Sequence, residues 1–119
     1  MTWSRHAPGA ASPPEETEQR AIAAWLDRLR LVWWHTPNGA RSVGEGRKLA
    51  ALGVRAGVPD IVVVGSPMVA IEVKRRHGGS LSHEQHAMLT ALLAAGWRCY
   101  VCPGLDDALD ALRVEGLVG

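Results

Sequence analysis

Two apolar runs, residues 61–64 (Ile-Val-Val-Val) and 68–73 (Met-Val-Ala-Ile-Glu-Val), are separated only by Gly65, Ser66 and Pro67. Each run is short, rich in β-branched residues and bounded by turn signals, the pattern of a strand. A three-residue link between them implies an antiparallel hairpin. Their flanks are apolar on both faces, so the hairpin belongs inside a sheet. If it is symmetric about Ser66, Asp60 faces Glu72, because both lie six residues from that centre. Directly opposed side chains approach to about 4.5–5.5 Å at Cβ, where like charges repel. Lys74 lies two residues past Glu72 and projects from the same face, whereas Val73 points into the core. One ammonium against two carboxylates leaves the group net negative. A hard divalent cation that prefers oxygen, Mg2+ or Mn2+, would complete it. Such a group suits hydrolysis of a phosphodiester. The competing interpretation is a surface ion-pair ladder on an edge strand. The apolar flanks argue against it, since an interior strand cannot carry uncompensated charge cheaply.

With 119 residues, the chain has room for one domain and one modest core. Its 47% apolar and 21% charged content is ordinary for a globular protein. No apolar stretch approaches the ~20 residues of a membrane span. The first residues lack the apolar segment of a signal peptide, so the expected compartment is the cytoplasm of the host cell. A net charge of +1 creates no global basic field. The charge is clustered instead. Arg41, Arg47, Lys48 and Arg55 precede the hairpin, and Lys74, Arg75, Arg76 and His77 close it. Such clusters can neutralise phosphates on a nearly neutral chain, or serve merely as solvated loop charge. Cys99 and Cys102 have no second pair with which to build a zinc site. On a strand they point to opposite faces, which disfavours a disulfide, so both read as small, largely buried hydrophobes.

Along the chain, residues 1–14 are rich in Pro, Ala and Ser and read as a mobile leader to a single domain over 15–119. A helix is expected over 15–30, with acids in its first turn and an apolar face of Ile22, Trp25, Leu26 and Leu29. A strand over 31–36 follows, ended by the turn Pro37-Asn38-Gly39. The connection over 39–58 holds one short helix, 47–52, and a link this long is expected to cover substrate. Its Gly44-Glu45-Gly46 is no phosphate cradle, lacking both the third Gly of a dinucleotide fingerprint and a Gly-Lys-Ser/Thr. Ser82 and Gln85 have the spacing of a capping box at the start of a helix over 83–95, which Gly96 ends. A strand over 97–102 and a helix over 105–112 complete the chain, with Asp106 and Asp107 favouring the last helix's N-terminus. The order α-β-(α)-β-β-α-β-α predicts an α/β fold, a small mixed sheet flanked by helices.

These residues resemble the PD-(D/E)XK nuclease superfamily, and within it the VRR-NUC group of small phage-type and bacterial nucleases. The likeness extends from about Glu15 to Leu112. It rests on the acidic helix start with Gln19, Pro37-Asn38-Gly39 with Arg41, the run from Gly53 to Asp60, Glu72-Val73-Lys74, and Leu81-Ser82-His83-Glu84-Gln85. The resemblance implies a restriction-endonuclease-like core with Asp60 and Glu72 as metal ligands, joined by the carbonyl of Val73. It also implies that Lys74 orients or deprotonates the attacking water and that Gln85 faces the site. Glu15, four residues before Gln19 and on its face, best fits the helical acid of the family; Glu18 is the fallback. Either acid could instead merely favour the helix N-terminus. The implied activity is Mg2+- or Mn2+-dependent DNA hydrolysis, structure-selective toward branched, flapped or Holliday-junction-like DNA, by a homodimer. Arg41, Arg47, Lys48, Arg55, Arg75 and Arg76 would hold the DNA backbone.

Three alternatives stand beside this: a non-catalytic nucleic-acid-binding module on a nuclease fold, a regulatory subunit whose basic loops bind a protein, and a restriction-type endonuclease subunit. The histidines add little. His35 reads as a partly buried structural residue, and His83 and His86 share a helix face without a third ligand. Of the adjacent Trp33 and Trp34, one is free to face outward and offer a dimer surface.

Overall fold

A computed structural model describes residues 15–37, 43–75 and 79–118. The leader expected over 1–14, Arg41, Arg76 and His77 lie outside the described residues. Helix α1, Glu15–Arg28, has Glu15, Glu16 and Glu18 in its first turn and Arg28 in its last, both favourable to the helix dipole. It ends two residues before the expected boundary, where Arg30 takes a left-handed conformation (φ 58°) and turns the chain toward strand β1, Trp33–His35. Helix α2, Val43–Ala51, starts four residues before the short helix expected over 47–52. Its two glycines weaken local propensity, which is why only its second half was legible.

Strands β2, Ile61–Val63, and β3, Val69–Val73, form the expected antiparallel hairpin, with Ile61 opposite Ile71 and Val63 opposite Val69. A cis Ser66–Pro67 peptide lies in its turn. Helix α3, His83–Ala94, crosses over to strand β4, Arg98–Cys102, which pairs in parallel with β3. Helix α4, Leu105–Val114, closes the fold and runs two residues past the expected end. The mixed sheet has the order β1-β2-β3-β4, so the hairpin is interior, and all five residues of β3 are buried.

The side-chain alternation of β3 divides the protein into two layers. Val69, Ile71 and Val73 join Ile61, Val63 and Cys102 in a core packed against Ile22 and Leu26 of α1 and Ala108, Ala111 and Leu112 of α4. The opposite face carries Val62, Ala70 and Glu72, and there α3 lies over the sheet. The Cys99 thiol on this face is 3.8 Å from the Leu89 carbonyl. Cys99 is only half-buried, unlike Cys102, because the edge strand leaves its side chain at the margin of α3. The two thiols are free and on opposite faces. Trp33 packs against the core and donates to Asp27 at 2.9 Å, while Trp34 is exposed. No described helix is long and apolar enough to cross a membrane.

Leu26 is fully buried between α1 and the sheet. Leu26→Ala should therefore lower the unfolding free energy by about 2–5 kcal/mol, read from urea midpoints at constant slope. A loss below ~1 kcal/mol would mean that α1 does not seal this core.

Candidate active site

The register of the β2–β3 hairpin, continued one pair outward from Ile61 and Ile71, sets Asp60 opposite Glu72. Both are shut off from solvent, Asp60 at 4% exposure and Glu72 at 0%. The backbone of Asp60 is tied to the end of β1, its carbonyl accepting from the Thr36 amide at 2.9 Å and from His35 Nδ1 at 2.8 Å. Its carboxylate Oδ2 accepts from the Val73 amide at 2.8 Å, across the hairpin. Ahead of it, the chain passes against the first turn of α3. At Gly57 (φ +79°), a Cβ would sit 2.3 Å from the Glu84 carbonyl oxygen. Only glycine accommodates both the backbone angle and that approach.

Gln85 joins the opposing elements. As expected, it closes a capping box with Ser82, whose hydroxyl accepts from the Gln85 amide at 3.1 Å. Its side-chain Oε1 accepts from the Ser82 amide at 2.8 Å and from Lys74 Nζ at 3.1 Å. Its Nε2 donates to Glu72 Oε1 at 2.9 Å. The same amide thus caps the helix and bridges the lysine and the glutamate. Lys74 Nζ lies 4.0 Å from Glu72 Oε1, and its own amide extends the β3–β4 ladder by donating to the Cys102 carbonyl at 2.9 Å.

This surrounding is electrostatically unbalanced. Burial pushes the Glu72 carboxyl up to about 8, with contact and repulsion from Asp60 adding to the rise, Lys74 opposing it and Glu15 adding a little. Glu72 Oε2 is buried with no hydrogen-bond partner. A buried, unpartnered carboxylate oxygen facing a second carboxylate is stabilised by a proton or by a cation. Two carboxylates, one of them with an orphaned oxygen, fit a small divalent ion that keeps waters and takes one or two protein carboxylates. Among the described residues, no group of three or more His, Cys, Asp and Glu side chains is placed to hold a metal. Any further ligands must come from backbone, water or substrate.

The remaining candidate residues are distributed around this group. Glu15 and Asp60 line one open cavity of about 610 Å3, together with Arg55, Gln85 and the Gly57 loop. Glu18 sits on the buried stripe of α1 with Ile22 and Leu26, away from the described walls of that cavity. Arg75 and Lys74 line a second cavity of about 310 Å3. Arg47 and Lys48 are exposed on α2 and line neither cavity. His83 and His86 are exposed on α3. His35, expected to be a partly buried structural residue, is exposed at the end of the edge strand β1. Its bond to the Asp60 carbonyl spans 25 residues, and no local pattern announces such a pairing.

A mixed four-stranded sheet between helices, with an aspartate leading into one interior strand and Glu-X-Lys on the next, is a restriction-endonuclease-like fold. The VRR-NUC domain profile matches residues 13–106. The chain belongs to the VRR-NUC family, a nuclease domain family of the PD-(D/E)XK superfamily. Membership implies nuclease hydrolase activity on nucleic acid, and the family typically uses divalent metal ions. Comparison with curated proteins and with solved structures finds no match.

Without metal, folded Glu72 retains its proton up to about pH 8, whereas an unfolded glutamate releases it near 4.5. Between those values the folded chain binds more protons, so its stability falls as pH rises. In chelator, the melting temperature should drop from pH 5 to pH 8, and Glu72→Gln should remove most of that slope. A flat wild-type profile would contradict the raised glutamate. Gly57→Ala should cost ~1–2 kcal/mol from backbone strain alone, more with the clash at Glu84. Unchanged urea midpoints would show that the loop does not need this approach.

Proposed function

We propose that this protein is a DNA endonuclease that hydrolyses phosphodiester bonds with Mg2+ or Mn2+. The observation that carries the proposal is the buried pair Asp60 and Glu72, one oxygen orphaned, with Lys74 held beside it by Gln85. Asp60, Glu72 and the carbonyl of Val73 would hold the ion, with Glu15 at the cavity wall acting through water. A divalent ion bound there lowers the pKa of a water and polarises the scissile phosphate. Lys74, pinned through its backbone and through Gln85, orients that water and stabilises charge developing on the phosphate. Gln85 keeps Lys74 and Glu72 at fixed separation, so the ammonium does not collapse onto the carboxylate. The water oxygen forms the new bond to phosphorus, one ester P–O bond breaks, and the leaving oxygen takes up a proton.

Arg55, in the cavity of Asp60 and Gln85, and Arg75, in the cavity of Lys74, are the basic residues best placed to hold DNA phosphates. Arg47 and Lys48 on α2, with Arg41 and Arg76, extend this contact. Phosphate contacts of this kind position a substrate without reading its sequence. The preferred substrate is therefore a DNA shape, branched, flapped or junction-like. A homodimer would present two sites for two strands, and exposed Trp34 offers a surface for it.

The test is cleavage of plasmid, branched and random linear DNA with Mg2+ or Mn2+, comparing wild type with Asp60→Ala, Glu72→Ala and Lys74→Ala. Each variant should lose about a hundredfold or more in kcat while still binding DNA in a gel shift. Equal activity in all four proteins, or DNA binding without cleavage by wild type, would refute the proposal. A consensus at the ends cut from the random library would replace shape selectivity with a restriction-type activity.

A further inference from the structure

The main chain of Asp60 has a second support besides the sheet ladder. The ladder between β1 and β2 ends at His35 opposite Ile61, so Asp60 stands just beyond its last pair. Its carbonyl accepts the Thr36 amide, which continues the ladder, and also the His35 ring at Nδ1, 2.8 Å away. That second bond requires the proton on Nδ1, which makes Nε2 a bare acceptor. The Gln19 amide nitrogen of α1 abuts the same ring, nearer to Nδ1 than to Nε2. The imidazole thus lies between α1 and the backbone of Asp60.

Gln19 is one helical turn from Glu15, and Glu15 shares a cavity with Asp60. The imidazole therefore joins the helix that carries one candidate acid to the backbone that carries another. The Asp60 side chain in turn accepts the Val73 amide across the hairpin. The Asp60 residue is thus held at its carbonyl by His35 and at its carboxylate by Val73.

We infer that His35 is a positioning residue. Through Nδ1–H it fixes the Asp60 backbone, next to the helix whose Glu15 shares a cavity with Asp60. Its importance to cleavage rests on the function proposed above, whereas the placement of Asp60 can be read independently. Hydrogen-bond partners of ligating carboxylates typically change activity by ~10–100-fold when removed.

The experiment compares wild type with His35→Ala, His35→Asn and His35→Gln. An Asn amide nitrogen occupies the place of Nδ1, and a Gln amide nitrogen that of Nε2, so only Asn can restore the bond to Asp60. Three quantities are measured: melting temperature, kcat and KM on branched DNA, and the NMR shift of the Val73 amide in metal-free protein. His35→Ala should lower kcat by ~10–100-fold with KM within about twofold, and should move the Val73 amide. His35→Asn should restore both, and His35→Gln neither, at similar melting temperatures. A Val73 amide unchanged in all three variants would overturn the inference. So would rescue by Gln but not Asn, or a kcat loss that merely follows the melting temperature. A wild type that does not cleave would refute the proposed function and leave the Val73 amide to decide the role of His35.

Discussion

Two carboxylates face each other across an interior hairpin with almost no access to water, and the rest of the site is arranged around the cost of that contact. Asp60 and Glu72 are at 4% and 0% exposure, and a single lysine at 4.0 Å stands beside them. Left alone, the pair responds by raising the Glu72 carboxyl to about 8, so that near neutrality the metal-free protein keeps one proton where two charges would repel. A cation can replace that proton, and binding then releases it. Under the proposed function, burial that would be a defect in a structural sheet becomes affinity for a hard ion.

The support for this contact comes from elements distant in sequence. Antiparallel pairing delivers Asp60 from one strand and Glu72 from the next, and parallel pairing with β4 pins the backbone of Lys74. Helix α3 then supplies Gln85, whose single amide closes its own helix start and bridges Lys74 to Glu72. The cap of that helix and the placement of Lys74 therefore share one side chain. Gly57 allows the loop before Asp60 to press against the same turn, so any residue with a Cβ would push the aspartate and the glutamine apart.

Much of this was legible in the chain. The hairpin and its register followed from turn chemistry and from the equal spacing of Asp60 and Glu72 about Ser66, because a period of two leaves no freedom once the turn is set. The capping box followed from Ser82 and Gln85 alone. The boundaries of α2 were less readable, since Gly44 and Gly46 obscure a short helix. His35 was invisible as a partner of Asp60, because a hydrogen bond between a strand end and a residue 25 positions away leaves no periodic trace.

The amino-acid sequence by itself determined which residues could meet: the strand pair, the facing acids, the lysine on their side and the helix start that carries Gln85. These are local consequences of alternation, turn length and capping, whose range is a few residues. Only the tertiary structure decided how deeply the acids are buried, that Glu15 reaches their cavity while Glu18 lies on the core stripe, and that Gln85 and His35 tie separate elements to them. Desolvation and long-range hydrogen bonds depend on the packing of whole layers, and no short stretch of chain carries that information.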